Sequence, residues 1–325
     1  WEHLHNVRQN LDAHFVLNND LDENTAGYTT YVKDGATLAN GGKGWEPIGD
    51  LDQNIDAEFD GTFDGKGYKI KGLVIEPTQR ERVGFFGRTG TTSIIKNIQL
   101  EDVSVKGTNL VAAVVGQLYG TVENVAVIGG DVLASGNAAG GIVGQLESSG
   151  ILKFSYANLN VTANLTSAGG LVGINLNNIL NSYSASTVIA GANTAGGLVG
   201  DNIYGTISNS YSTGTVQANS TVGGLVGINQ DTFFSPPTVG VINNSFWDTE
   251  ASGQATSDGG TGKTTAELKT KTTFTDAGWD FTGETTNGSD EIWTIKEAAS
   301  GYISYPHLTA FTYDAPETSP AVNPI

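Results

Sequence analysis

Apolar positions in this chain come in short bursts and do not follow helical spacing. Leu171-Val172, Thr187-Val188 and Leu198-Val199 stand between clusters of Gly, Asn, Ser and Thr, and the same texture holds through most of the chain. Bursts of this kind, bounded by turn formers, predict strand, turn, strand, turn, strand, with no helix between them. The bursts are periodic. Gly-Gly-Leu-Val-Gly stands at 169–173, 196–200 and 223–227, Gly-Gly-Ile-Val-Gly at 140–144, and degenerate copies end at Gly116 and Gly87. The closing glycines at 87, 116, 144, 173, 200 and 227 are 29, 28, 29, 27 and 27 residues apart. A steady period means one unit stacked on copies of itself. Strands that recur without helices pair with their equivalents one repeat later, in parallel. The expected fold is all-β: a right-handed parallel β-helix, or β-solenoid. With some seven to nine coils at strand spacing, the rod would be on the order of 40 Å long.

A second landmark follows in each repeat: Asn-Ser-Tyr-Ser at 181–184 and 209–212, and Asn-Ser-Phe-Trp at 244–247. It places Tyr156, Tyr183, Tyr211 and Phe246 in one register, predicting an aromatic ladder, and Asn181, Asn209 and Asn244 in another, predicting an asparagine ladder. The glycines are expected at corners, where a Cβ has no room and a positive φ is needed. The Leu-Val pair between them is expected to point one side chain inward and one outward.

The ends depart from the repeat. Trp1, Leu4, Val7 and Leu11 share one face at helical spacing, which predicts a short N-terminal capping helix over the open end of the solenoid. Thr264 and Glu267 form a capping box that predicts a second short helix, and Trp279, Phe281, Trp293, Tyr302, Tyr305 and Leu308 supply the apolar mass of a C-terminal cap. The expected organisation is an N-terminal cap at 1–25, the solenoid at 26–248, a C-terminal cap at 249–312 and a proline-rich linker at 313–325, leading to further domains of the same polypeptide.

The Asn-Leu-Asp-Ala-His-Phe-Val-Leu-Asn-Asn-Asp-Leu-Asp opening at 10–22, the Phe-Asp-Gly-Thr-Phe-Asp-Gly-Lys-Gly-Tyr run at 59–68 and the Gly-Gly-Leu-Val-Gly…Asn-Ser-Tyr-Ser repeats resemble GLUG-repeat segments of filamentous-haemagglutinin-like bacterial surface adhesins. The resemblance covers roughly 10–310. It implies a secreted β-solenoid at the cell surface, an adhesin stalk or ligand-presenting rod, whose partner is a receptor or glycan on a host or neighbouring cell. It does not fix a ligand.

Composition narrows the chemistry. With 34 acidic and 16 basic residues the net charge is −18, which opposes nucleic-acid binding. The chain has no cysteine, so disulfide scaffolds and thiol chemistry are excluded. No stretch reaches 18 apolar residues, so no inserted membrane helix is expected. Gly259 to Thr264 echoes a phosphate loop, but Ser257 stands where that loop needs its first glycine. Asp50, Asp52, Asn54 and Asp56 alternate oxygen ligands in the manner of a calcium loop. Ile55 and Gly61 break the EF-hand pattern, leaving either a looser calcium-binding turn or a solvated acidic face. Calcium is the only cofactor to which the sequence points.

Parallel β-helices also host polysaccharide hydrolases and lyases, which gather acids on adjacent coils of one face. Here Glu123, Asp131, Glu147, Asp201 and Asp231 fall at different repeat positions and do not stack. Charges are dense only in the N-terminal third, around Asp60, Asp64, Lys66, Lys69, Lys71, Arg80, Arg82 and Arg88. The favoured reading is non-catalytic. The alternative is a polysaccharide-active enzyme or carbohydrate-binding module on the same fold. The insertions, with Trp45 in the 33–45 loop and Phe233 and Phe234 in the 228–240 loop, either cover the rod's flanks and ends or carry any contact surface, since loops on rigid scaffolds often carry function.

Overall fold

The computed structural model describes residues 1–33, 43–49, 58–76, 80–230, 239–296 and 304–311. Over this span the chain is a parallel β-solenoid. One inward column shows how the period builds it. Phe15, Phe63, Ile95, Val122, Leu152, Ile179, Ile207 and Ile242 lie on successive rungs, each paired in parallel with the next. Eight rungs at strand spacing span roughly 34 Å. Two further sheets of six strands each complete the coil. One runs from Arg82–Val83 to Thr221–Gly223, the other from Phe86–Arg88 to Val226–Ile228. The closing glycines share one rung position, as the period predicts, since Val115, Val143, Val172, Val199 and Val226 just before them pair in succession.

The repeat glycines owe their place to contact, not to φ. A Cβ added to Gly169 would sit 1.9 Å from the Val172 carbonyl oxygen, and one on Gly196 would sit 1.8 Å from that of Val199. Neither has a positive φ. Left-handed backbone falls instead on a different corner, at Asn97, Asn124, Phe154, Asn181, Asn209 and Asn244, with φ between 46° and 54°. Asparagine is the side chain that tolerates this region best after glycine. The Leu-Val pairs also differ from expectation: Leu171 and Val172, like Leu198 and Val199, are all fully buried, because the chain bends between the two glycines and turns both side chains inward.

Two polar ladders run along the rod. Asn181, Asn209 and Asn244 form corners, and no hydrogen bond joins one to the next. The hydrogen-bonded amide ladder lies elsewhere: Asn175 donates to Asn202 and Asn202 to Asn229, both at 2.7 Å. The serine beside each corner asparagine forms the second. The backbone N–H groups of Ser155, Ser182 and Ser210 donate to the hydroxyls of Ser182, Ser210 and Ser245, each at 3.2 Å. Each hydroxyl donates in turn to a carbonyl two residues back. Fully buried polar atoms are thereby satisfied coil by coil.

The N-terminal cap is a short helix, Glu2–His5, continued by a 3₁₀ turn, Asn6–Gln9, that seats Leu4 and Val7 on the core. The other end is closed by 249–263. Thr261–Lys263 adds a rung to Phe246–Asp248, and Ser257 accepts from the N–H groups of Leu225 and Val226. Within the Gly259–Thr264 stretch, Thr261–Lys263 is therefore strand, with Lys263 paired to Glu267. The capping box at Thr264 forms as expected and starts helix Thr265–Leu268.

The remaining described C-terminal residues, 264–296 and 304–311, do not lie over the end of the rod. They form a strap along its side. The expected aromatic ladder is there, with Tyr156, Tyr183 and Tyr211 stacked at 4.8 and 5.0 Å and nearly parallel. It faces away from the solenoid core and belongs to a second apolar cluster with Phe274, Trp279, Phe281, Trp293 and Leu308. Outward-facing rings need cover, and the strap supplies it. Trp293 packs on Tyr183 and Tyr211, and Trp279 and Phe274 pack on Phe246. Phe311, the last described residue, meets Tyr156 edge-on. The expected linker at 313–325 lies outside the described residues.

Candidate functional site

Trp45 is fully buried. Its indole N–H donates to the Phe85 carbonyl at 3.2 Å, its ring stacks on Phe85, and the Arg8 guanidinium covers it at 4.4 Å. A ring enclosed in this way belongs to the N-terminal core and offers no face to a partner. Phe233 and Phe234 lie outside the described residues, as do Asp50, Asp52, Asn54 and Asp56. Among the described residues no group of three or more His, Asp or Glu is placed to hold a metal ion.

The charged N-terminal third resolves into pairs. Arg80 meets Glu46 at 3.6 Å, Arg88 meets Glu58 at 3.2 Å, Lys69 meets Glu101 at 2.8 Å and Lys71 meets Asp102 at 3.2 Å. Arg82 donates to Gln117 at 2.7 Å. The two acids of the Asp-Gly turns hold backbone in place. Asp60 accepts from the Thr92 N–H at 2.9 Å. Asp64 accepts from the Lys66 N–H and the Asn97 amide, both at 2.9 Å, and faces the Lys66 ammonium at 3.3 Å. Burial pushes the Asp64 carboxyl upward, but these donors outweigh it and hold the group below its usual range. An acid kept ionised cannot serve as the proton donor that glycoside cleavage needs near neutral pH.

Asp64 and Lys66 nevertheless border a cleft on the side of the rod. The cleft, of about 410 Å³, is lined by Asp64, Lys66, Gly67, Asn97, Gln99 and Asn124 on the coil side and by Ala310 and Phe311 of the strap. Two columns create it. The corner column reads Asn97, Asn124 and then Phe154; the ladder column reads Lys69, Gln99, Ala126 and then Tyr156. Both turn from polar or small to aromatic at the same coil, and there the described part of the strap ends. Asn124 donates to Asn97 at 3.3 Å, and Gln99 donates to Glu101 at 2.7 Å. The floor is therefore planar amides, and one wall is an aromatic ring. Sequence inspection flagged Asp64 and Lys66 for their charge. It missed Asn97, Gln99 and Asn124, because those amides look like ordinary repeat residues until Phe311 of the strap is seen beside them.

Comparison with known proteins agrees with this architecture. The GLUG motif matches residues 191–217, the length of one coil. Over 143 residues, 43% of this chain, the sequence is 34% identical to halomucin of Haloquadratum walsbyi, of which it covers 1%. Over 130 residues, 38% of this chain, it is 38% identical to a protein named as a candidate Gly-rich membrane protein of Evansella cellulosilytica, of which it covers 13%. The chain thus spans a small fraction of the length of these relatives. A crystal structure of a candidate immunoglobulin A1 protease from Bacteroides ovatus superposes with a TM-score of 0.65 over 95% of this chain and 90% of that one. At 22% identity that likeness speaks for the fold alone.

Proposed function

We propose that this chain is a non-catalytic rod segment of a bacterial cell-surface protein, acting as an adhesin stalk that presents ligand-binding surface away from the cell. One observation carries the reading: among the described residues, Asp60, Asp64 and Glu101 of the charged third are each tied to a backbone donor or a cation. The GLUG motif and relatives described as halomucin and as a Gly-rich membrane protein support an extracellular or surface location. The far greater length of those relatives supports further domains on the same polypeptide. The partner is a receptor or glycan on another cell, with Phe233 and Phe234 as contact candidates. Calcium, if the 50–56 stretch takes it, would be held by Asp50, Asp52, Asn54 and Asp56.

Two measurements on the purified chain test this. Binding to intact cells is measured alongside reducing-sugar release from a panel of polysaccharides. The reading expects attachment without release. Release that vanishes on Asp64→Asn would overturn it in favour of a polysaccharide-active enzyme. A calcium titration followed by thermal unfolding tests the metal: a rise in Tm abolished by Asp52→Ala and Asp56→Ala supports it, and an unchanged Tm refutes it.

A further inference from the structure

We propose that the cleft between Ala310–Phe311 of the strap and the first coils binds an uncharged hexose unit of a glycan chain. The inference rests on the ligand-presenting reading above and gives it a place and a chemistry. Its volume of about 410 Å³ suits a small ligand. The floor carries hydrogen-bonding capacity that the fold leaves unused. Gln99 spends its amide N–H on Glu101, and its carbonyl oxygen has no partner. Asn124 spends one N–H on Asn97, leaving its own carbonyl oxygen and a second N–H. Lys66 keeps further donors beyond its contact with Asp64, and its side chain is 56% exposed. Acceptors and donors side by side suit the hydroxyls of a sugar, each of which both donates and accepts. Phe311 supplies an apolar ring for a sugar's C–H face and is itself braced edge-on by Tyr156 at 5.0 Å.

Charge selects among sugars. Asp64 is paired with Lys66 and Glu101 with Lys69, so the rim is balanced to zero within a chain of net charge −18. A uronate or sialate would meet that negative field, since the charge of Lys66 is already offset by Asp64 and that of Lys69 by Glu101. The geometry is also set in advance. Asn97 and Asn124 are fixed in left-handed corners between hydrogen-bonded rungs, so little ordering cost remains for binding.

The experiment is titration calorimetry on the full chain with neutral tetraoses of glucose, mannose, galactose and N-acetylglucosamine, and with tetragalacturonate as the charged arm. At least one neutral tetraose is expected to saturate below ~1 mM and to bind more tightly than tetragalacturonate. Asn124→Gly keeps the corner backbone and removes the amide; Gln99→Ala removes the other acceptor. Each should weaken binding about 3- to 10-fold, with Tm unchanged. Phe311→Ala should weaken it by about 10-fold or more. The proposal is overturned if no neutral tetraose saturates by ~10 mM, if tetragalacturonate binds as tightly as the neutral arm, or if both amide variants bind like the parent. Cell attachment retained in Asn124→Gly alongside lost tetraose binding supports the subsite and puts the cell contact elsewhere. No tetraose binding alongside attachment by the parent chain sinks the subsite and leaves the stalk reading standing.

Discussion

At the scale of single residues, one column holds both a rule and its exception. Asn97, Asn124, Asn181, Asn209 and Asn244 occupy left-handed corners, and Phe154 occupies the same corner with φ 50°. A left-handed residue other than Gly, Asn or Asp costs roughly 1–2 kcal/mol. Phe154→Asn should therefore be more stable than Phe154→Ala by about 1 kcal/mol in urea unfolding, since both lose the ring and only one is suited to the corner. Equal midpoints would show that the corner is not strained. Asp201 is a second exception. Its rung neighbours are Ile174 and Ile228, Ser167 donates to one of its oxygens, and the other is buried without a partner. Burial pushes its carboxyl up from the ordinary value of 3.8, more than the Ser167 and Thr194 hydroxyls pull it down. A raised folded pKa means stability fully present below the unfolded value and lost as pH rises through the folded one. Tm should fall over that window for the parent chain. Asp201→Asn should lack that component of the fall and lie above the parent at neutral pH. Identical pH profiles would refute the burial.

At the scale of elements, the ladders make each coil depend on the next. Ser182 accepts from the buried Ser155 N–H and donates to the Leu180 carbonyl. Ser182→Ala strands that N–H and should cost about 1–3 kcal/mol, read as a lower denaturant midpoint at unchanged slope. A cost near zero would mean that water replaces the hydroxyl. These elements also show what the sequence reveals. The period locates the rungs because the same side chains must meet the same neighbours in every coil, and Tyr156, Tyr183 and Tyr211 stack for that reason. The period does not say which corner takes the positive φ. Glycine is the usual inference there, yet Asn181 and Asn209 take it, while Gly169 and Gly196 are fixed by a carbonyl lying where a Cβ would be. Trp45 misled for a related reason. Its neighbours in sequence are those of a loop, and its burial is set by Arg8 and Phe85, far away in the chain. The cleft was half legible: Asp64 and Lys66 stood out as charges, but its amides gain meaning only from Phe311, about two hundred residues later.

At the scale of the whole molecule, stacked coils alone would behave as a one-dimensional array in which each coil is held by its neighbours. The strap changes that. Deleting 264–325 should uncover the Tyr156–Tyr183–Tyr211 column, bind a hydrophobic dye and broaden thermal unfolding. A sharp transition at the parent Tm would show the strap to be an ornament. The consequence reaches further on the proposed stalk reading, in which the rod works under tension. Load along the rod axis pulls rung from rung, and an unbraced stack would peel from one end under small force. Phe274 and Trp279 grip Phe246, Trp293 grips Tyr183 and Tyr211, and Phe311 grips Tyr156. These rings lie across the direction of pull, so several rungs must part together. In single-molecule stretching the intact chain should rupture in one high-force event, and the strapless chain should give a sawtooth of small ones. The strap makes a stack of weak layers behave as a splinted bone.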